Sequence, residues 1–303
     1  MPATSFHLAD QLGWAHDEGH PAGTFHTFDR LDVGADTPVR KVHVFLPRSY
    51  TTSRRAYPVV WMNDGDTAFW AGGVARKTWD VAGALSRLNG AAEVIVVAVH
   101  PTERDAEYTH VDWRRGRAPF GGLPRYASYL ASDLRLFLAR HYRMSPDPRH
   151  HLALGSSHGG LAAFWTATRH PDRFGGAACL STSFFAGLDD LDDGPGPGPL
   201  ADAPLLADAA ALLVDRARRP RLYLSWGLQR SGGPHNEVVE AFAERRGEEA
   251  AALLTDRYGY RQARLTDAPS DAELMVFVDE SGGHDEAAWA AQLDLILPSF
   301  FPA

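Results

Sequence analysis

The chain has 303 residues and carries 30 Lys+Arg against 38 Asp+Glu, a formal charge of −8 at pH 7. With a pI of about 5.9 it lacks the basic domain or stripe with which nucleic-acid binders neutralise phosphates, and 45% hydrophobic against 22% charged residues describes a chain that buries a core. One cysteine, Cys179, excludes an intramolecular disulfide frame and a Cys-rich zinc site, which leaves 14 histidines to explain.

Met1 to Asp10 show neither the charged nor the apolar region of a signal peptide. The longest apolar run, Val94 to Val99, falls far short of the roughly 18 residues needed to cross a bilayer, so a soluble, cytoplasmic protein without a membrane span is expected. Val39 to Leu46 alternates up to Pro47 and predicts an early strand. Val59 to Met62 and Val94 to Val99 are near-continuously apolar, as central parallel strands covered on both faces are. Between them Arg76 to Leu88 fits a crossover helix. Tyr129, Leu130, Leu134, Phe137 and Leu138 recur at three and four, which predicts an amphipathic helix over Tyr126 to His141. Leu152 to Leu154 predicts a strand, and Gly160 to Arg169 a helix that must end ahead of Pro171. Ala177 to Leu180, Arg221 to Trp226 and Leu274 to Val278 complete the later strands, with helices over Ala201 to Arg218 and Asn236 to Arg257 between them.

This alternation is the pattern of an α/β protein with a mostly parallel sheet and helices on both faces. No repeat or charge run divides the chain, so one domain over 1–303 is expected, with 1–38 as an N-terminal extension. Asp189 to Pro199, rich in Asp, Gly and Pro, reads as a surface loop, or, within 186–204, as a lid or cap beside a site.

Gly155-Ser156-Ser157-His158-Gly159 is a G-x-S-x-G sequence between a predicted buried strand and a predicted helix. That is the context of a nucleophile elbow, a strained strand-to-helix turn that lifts a serine hydroxyl above a sheet. Ser157 is the candidate nucleophile, with the helix N-terminus behind it and the His158 N–H aimed at a developing oxyanion. A serine hydroxyl needs an imidazole to take its proton. His284, in Gly282-Gly283-His284-Asp285 after the last strand, stands where active-site groups collect in open α/β sheets. His100, at the end of Val94 to Val99, is the alternative or a pocket wall. His20, His26, His150, His151 and His170 have blander readings.

Tyr57-Pro58-Val59-Val60-Trp61-Met62-Asn63-Asp64-Gly65, Arg104-Asp105-Ala106-Glu107-Tyr108-Thr109, the Gly155 to Gly160 elbow, His170-Pro171-Asp172-Arg173-Phe174, Leu180-Ser181-Thr182-Ser183-Phe184 and Gly282-Gly283-His284-Asp285 run in order over about residues 40 to 290. Together they resemble the esterase D family of α/β-hydrolases, the group containing enterochelin esterase-like enzymes, S-formylglutathione hydrolases and mycolyltransferases. The resemblance implies that Asp64-Gly65-Asp66 is the turn supplying the second oxyanion donor, through the Asp66 N–H, and that Arg104 and Glu107 lie near the site.

The sequence departs from the family at the acid of the triad. Relatives carry it within about five residues of a strand and a Gly, whereas Trp226-Gly227 is followed here by Leu228, Gln229, Arg230, Ser231 and Gly232. Glu237 is the candidate if the Ser231 to Pro234 loop folds back. Asp279 and Glu280 are alternatives near His284, as is a dyad oriented by a carbonyl or water. Asp64, Gly65, His100 and Arg230 are pocket candidates, Arg230 as a cation for an anionic group. Trp70, Trp113, Trp165 and Trp226 are either pocket wall or core.

The expectation is a serine esterase acting on a small-molecule ester without metal or cofactor. An acyltransferase would use the same residues. A weakened hydrolase fold acting as a binding module is the reading from another class, supported by the missing acid. Substrate and oligomeric state are not legible.

Overall fold

In the computed structural model of the protein, residues 3–73, 76–90, 92–113, 120–191, 194–196, 198–263 and 272–302 are described. The β-branched runs all enter one sheet. Its strands are Thr4–Leu8 (β1), Gln11–His16 (β2), Gly23–Leu31 (β3), Arg40–Pro47 (β4), Val59–Met62 (β5), Ile95–Val99 (β6), His151–Ser156 (β7), Gly176–Leu180 (β8), Arg221–Gly227 (β9), Gln262–Ala263 (β10) and Leu274–Asp279 (β11). They lie in the order β1-β2-β3-β4-β6-β5-β7-β8-β9-β11-β10. β1 to β4 pair antiparallel, as does β4 with β6, and every later pairing is parallel. Residues 4–31, expected only as an extension, therefore supply three strands; Gly23 to Thr27 alternates buried and half-buried positions, which suits a strand with one covered face.

The helices are Val81–Arg87 (α1), Arg104–Tyr108 (α2), Leu123–Tyr129 (α3), Arg135–His141 (α4), His158–Arg169 (α5), Pro204–Ala207 (α6), Ala210–Val214 (α7), Glu240–Asp256 (α8), Glu286–Ala290 (α9) and Leu293–Phe300 (α10). Alternate strand residues feed opposite cores, which is why the central strands read as continuous apolar runs. Val59, Trp61, Val97 and Ala153 join Leu134, Leu161, Phe164 and Leu254 from helices on one face. Val60, Met62, Val96 and Leu154 join Val81, Leu85, Ile296 and Leu297 on the other.

Three helices differ from expectation for local reasons. The crossover helix begins only at Val81, because the chain before it is held in turns by the Thr67 carbonyl, which accepts from the Thr78 hydroxyl and the Trp79 N–H. Asp80 then caps α1 by accepting from the Gly83 N–H. The expected Ala201–Arg218 helix breaks into α6 and α7; Pro204 opens α6, and the Asp215 carbonyl captures the Arg218 and Arg219 N–H groups as a turn. The Tyr126 to His141 helix starts earlier, at Leu123 with Pro124 in its first turn, and contains a wider π turn at Leu130–Leu134.

The Asp189 to Pro199 segment, whose residues 192, 193 and 197 lie outside those described, is anchored. Asp189 is buried and takes a bidentate ion pair from the buried Arg246 of α8, at 2.7 and 2.6 Å. Its carbonyl accepts from the Trp113 indole at 2.7 Å. Among the described residues no helix is long and apolar enough to cross a membrane.

Candidate active site

β7 runs directly into α5 through Ser157, whose φ of 55° and ψ of −123° are a conformation that only surrounding packing holds a side chain in. Two glycines let the chain reverse there. A Cβ at Gly155 would lie 2.4 Å from the Gly159 carbonyl oxygen, and one at Gly159 would lie 2.9 Å from the Asp64 carboxylate. The Ser157 N–H donates to the Leu180 carbonyl at 2.9 Å, and its carbonyl accepts from the Ser183 N–H at 3.1 Å. These bonds fix the turn from the next strand over. His158 opens α5, so its N–H belongs to the first turn, where a helix supplies no acceptor of its own.

Ser157 lies in a cleft of about 660 Å³ whose walls also include His284, His158, Asp66, Asp64, Trp113 and Trp289. The Ser157 hydroxyl is 3.4 Å from that of Ser183, which in turn is 2.8 Å from Nδ1 of His158. Ser183 was not anticipated as a neighbour of the elbow.

The carboxylate on His284 is Glu240. Its Oε2 is 2.6 Å from His284 Nδ1, and both side chains are buried. Its Oε1 accepts from the Gly227 N–H at 2.5 Å and the Ser181 hydroxyl at 2.9 Å. Trp289 donates its indole N–H to that same Ser181 oxygen at 2.9 Å, which turns the hydroxyl proton toward Glu240. Three donors thus compensate a carboxylate that has no access to water. The His284 backbone is held as well, its N–H donating to Asn236 Oδ1 at 2.7 Å. Asn236 lies within, and Glu240 directly after, a π turn at His235–Val239 leading into α8.

Glu237, the acid candidate from the sequence, sits in that turn and is exposed. It is displaced from the role because the π turn carries its side of the helix outward and brings position 240 inward. A signal was present: Glu240 precedes the buried Ala243, Gly247 and Leu254 by 3, 7 and 14 residues, so it belongs to the core stripe of its helix. Asp279 is spent on its own turn, accepting from the Ser281 and Gly282 N–H groups.

The remaining candidates divide. Asp64 and Asp66 line the cleft. Asp64 holds Arg104 in a bidentate pair at 2.7 and 2.9 Å and donates its N–H to the Tyr108 hydroxyl at 3.0 Å. Burial would discharge the Arg104 guanidinium, but the Asp64 charge holds its pKa above the ordinary value. Burial, reinforced by Asp64, raises the carboxyl of Asp66. Gly65 is not in the cleft wall; it packs on the end of β6, donating to the Val99 carbonyl at 2.9 Å, where a Cβ would meet backbone at 2.7 Å. Arg230 is not a cleft residue either, being tied to Glu244 and to the Gly227 carbonyl. His100 lies in a neighbouring pocket and shares it with Trp70. Trp113 is a cleft wall, Trp165 and Trp226 are core, and Trp79 and Trp289 line the cleft without having been anticipated.

A family profile described as "Putative esterase" matches residues 38–300. The MPT51 antigen of Mycobacterium leprae is 30% identical over 193 residues, covering 57% of this chain and 58% of that protein. The chain spans 58% of the length of the curated relatives it matches. Among solved structures, a ferulic acid esterase superposes with a TM-score of 0.61 at 20% identity, covering 92% of this chain and 98% of that one. The siderophore hydrolase EstA from Aspergillus nidulans superposes with a TM-score of 0.62 at 16% identity, covering 95% and 97%. At these identities the likeness establishes the α/β-hydrolase fold, and the profile establishes the family: the chain belongs to the family described as putative esterases.

Proposed function

We propose that the protein cleaves a carboxylic ester through an acyl-enzyme on Ser157, with His284 as general base and Glu240 as the acid that orients it. The observation carrying this reading is the 2.6 Å contact of Glu240 with His284 Nδ1 in the cleft that also holds the elbow serine. A carboxylate accepting from Nδ1–H fixes the tautomer whose Nε2 has a lone pair, so Nε2 takes the Ser157 proton as the hydroxyl adds to the ester carbonyl. The oxyanion meets the backbone N–H groups of His158 and Asp66. The protonated imidazole then gives its proton to the departing alcohol, and water, deprotonated by the same nitrogen, releases the acid. Transfer of the acyl group to an alcohol in place of water would use the same atoms. The binding-module reading drew on the missing acid, and Glu240 supplies one.

A fluorophosphonate probe together with short-chain p-nitrophenyl esters tests the assignment. The wild type should label and turn over, and Ser157→Ala should do neither, losing on the order of 10⁴-fold or more in kcat. Labelling that survives in Ser157→Ala would remove Ser157 as the nucleophile. A wild type inert to both reagents would favour the binding module.

A further inference from the structure

Beside the cleft, and meeting it at Asp66, lies a second pocket of about 340 Å³. It is built on β4 and on two antiparallel strands, β2 and β3, that the sequence showed only as an N-terminal extension. The register places Trp14, Thr27 and His43 in one row across β2, β3 and β4, and His100 follows β6 beside them. Trp70 stands over the row, its indole N–H held by Glu18 at 3.0 Å, with ring centroids 4.9 Å from His43 and 6.0 Å from His16.

The polar groups form a chain whose members each switch between giving and receiving a proton. Thr27 Oγ1 lies 3.3 Å from His16 Nε2 and 2.8 Å from His43 Nδ1, and His43 Nε2 lies 3.0 Å from His100 Nε2. Two imidazoles facing each other through Nε2 require one donor and one acceptor, so at least one of the pair is neutral. Burial acts the same way, lowering His43 to about 3 and His100 to about 4. The far nitrogen of His100, Nδ1, has no hydrogen-bond partner among the described residues, so the chain ends on an atom whose role follows the tautomer of the whole row.

We propose that this pocket is a subsite for a saccharide ring, the alcohol portion of the ester turned over in the adjoining cleft. The proposal rests on the esterase reading only for that last clause. A sugar presents an apolar C–H face and a rim of hydroxyls, each both donor and acceptor. The pocket answers with the indoles of Trp14 and Trp70, the role-switching ends of the histidine chain, and Asp66 as an added acceptor. An anion is disfavoured, since burial holds His43 and His100 in their neutral forms, Asp66 stands in the wall, and Lys41 is committed to Asp29 at 3.0 Å. A metal is disfavoured because no group of three or more His, Cys, Asp or Glu among the described residues is arranged to hold one. A phenol would use the indoles but leave most of the polar rim unanswered.

Saturation-transfer NMR of the full chain with methyl α-D-glucopyranoside tests this without ester turnover, so its failure and that of the esterase reading are separable. The glycoside should saturate with a Kd on the order of 1 mM. Trp14→Ala, at a 38% exposed position, and His100→Ala should each weaken binding about tenfold while keeping the wild-type far-ultraviolet circular dichroism. Catechol and inorganic phosphate are run alongside. Absence of glycoside binding, binding insensitive to both substitutions, or tighter binding of catechol or phosphate at this pocket would overturn the proposal.

Discussion

Two sets of imidazoles meet at the Asp64 to Asp66 turn and differ in one respect. His284 rests on a carboxylate, Glu240 Oε2 at 2.6 Å, whereas His43 and His100 rest on each other and on a threonine hydroxyl. A carboxylate neighbour stabilises the imidazolium as it forms, which is what a general base needs. A neutral neighbour offers no such compensation, so burial, with Lys41 nearby, opposes protonation, and such an imidazole is suited to a hydrogen-bonding surface. The same residue type is thus suited to two kinds of work, according to the charge of its partner.

The sharpest way to break this contrast is to make the first site resemble the second. Glu240→Gln keeps the shape and removes the charge, and an amide can present its N–H₂ to Nδ1 and so favour the wrong tautomer. The expected loss in kcat on p-nitrophenyl acetate is on the order of 10³- to 10⁴-fold, with KM little changed. Retention of more than a tenth of wild-type kcat would mean that Glu240 only packs.

A second buried carboxylate facing α8, Asp189, has a stability role against which Glu240 can be compared. Asp189→Ala leaves the buried Arg246 guanidinium with Glu249 as its remaining ion-pair partner, at 2.6 Å. Breaking one side of a buried ion pair costs about 3 kcal/mol or more, which should lower Tm by on the order of 10 °C. Glu240→Gln should move Tm by less, since its other donors can still be met by an amide oxygen. Equal losses of Tm in the two variants would erase the distinction.

The neutral imidazoles also predict a pH dependence of stability. Burial lowers His26, His100 and His151 to about 4 and His43 to about 3, against 6.5 for a free imidazole. Between those values the unfolded chain binds protons that the folded chain refuses, so stability is complete above pH 6.5 and falls as the pH drops toward 4. Thermal melts should lose on the order of 5 °C for each pH unit between 6.5 and 5, above the range in which ordinary carboxylates titrate. A flat Tm across that window would mean that these imidazoles are not held neutral.

Much of this was legible in the chain because it is local. The elbow shows as glycines around Ser157 between an apolar strand and a helix, and His284 shows as a loop residue after the last strand. The acid was not legible at the expected offset from Gly227, because the π turn at His235–Val239 shifts the phase of the helix by a residue that no propensity marks. Reading the helix backward from Gly247 and Leu254 would have reached Glu240. The second pocket was hidden for another reason: its row of Trp14, Thr27 and His43 exists only once β2, β3 and β4 are in register, and cross-strand register depends on pairing partners distant in sequence. His100 and Arg230 were assigned by nearness to strand ends, which gives the end of the sheet but not the direction of a side chain, and Gly65 by the resemblance of its turn, which does not say which residue of the turn faces the cleft.

The smallest expected effect is at position 237, and it discriminates between two carboxylates three residues apart. Glu237 is exposed in the π turn, while Glu240 is fully buried under three donors. Glu237→Gln should therefore leave kcat/KM on p-nitrophenyl acetate within about twofold and Tm within about 1 °C, as for a surface substitution without a structural partner. If it instead reduced kcat as Glu240→Gln does, the π turn would have to unwind during turnover and exchange one acid for the other. Silence at 237 with loss at 240 assigns the orienting role to the buried carboxylate, and so to the phase of a single helical turn.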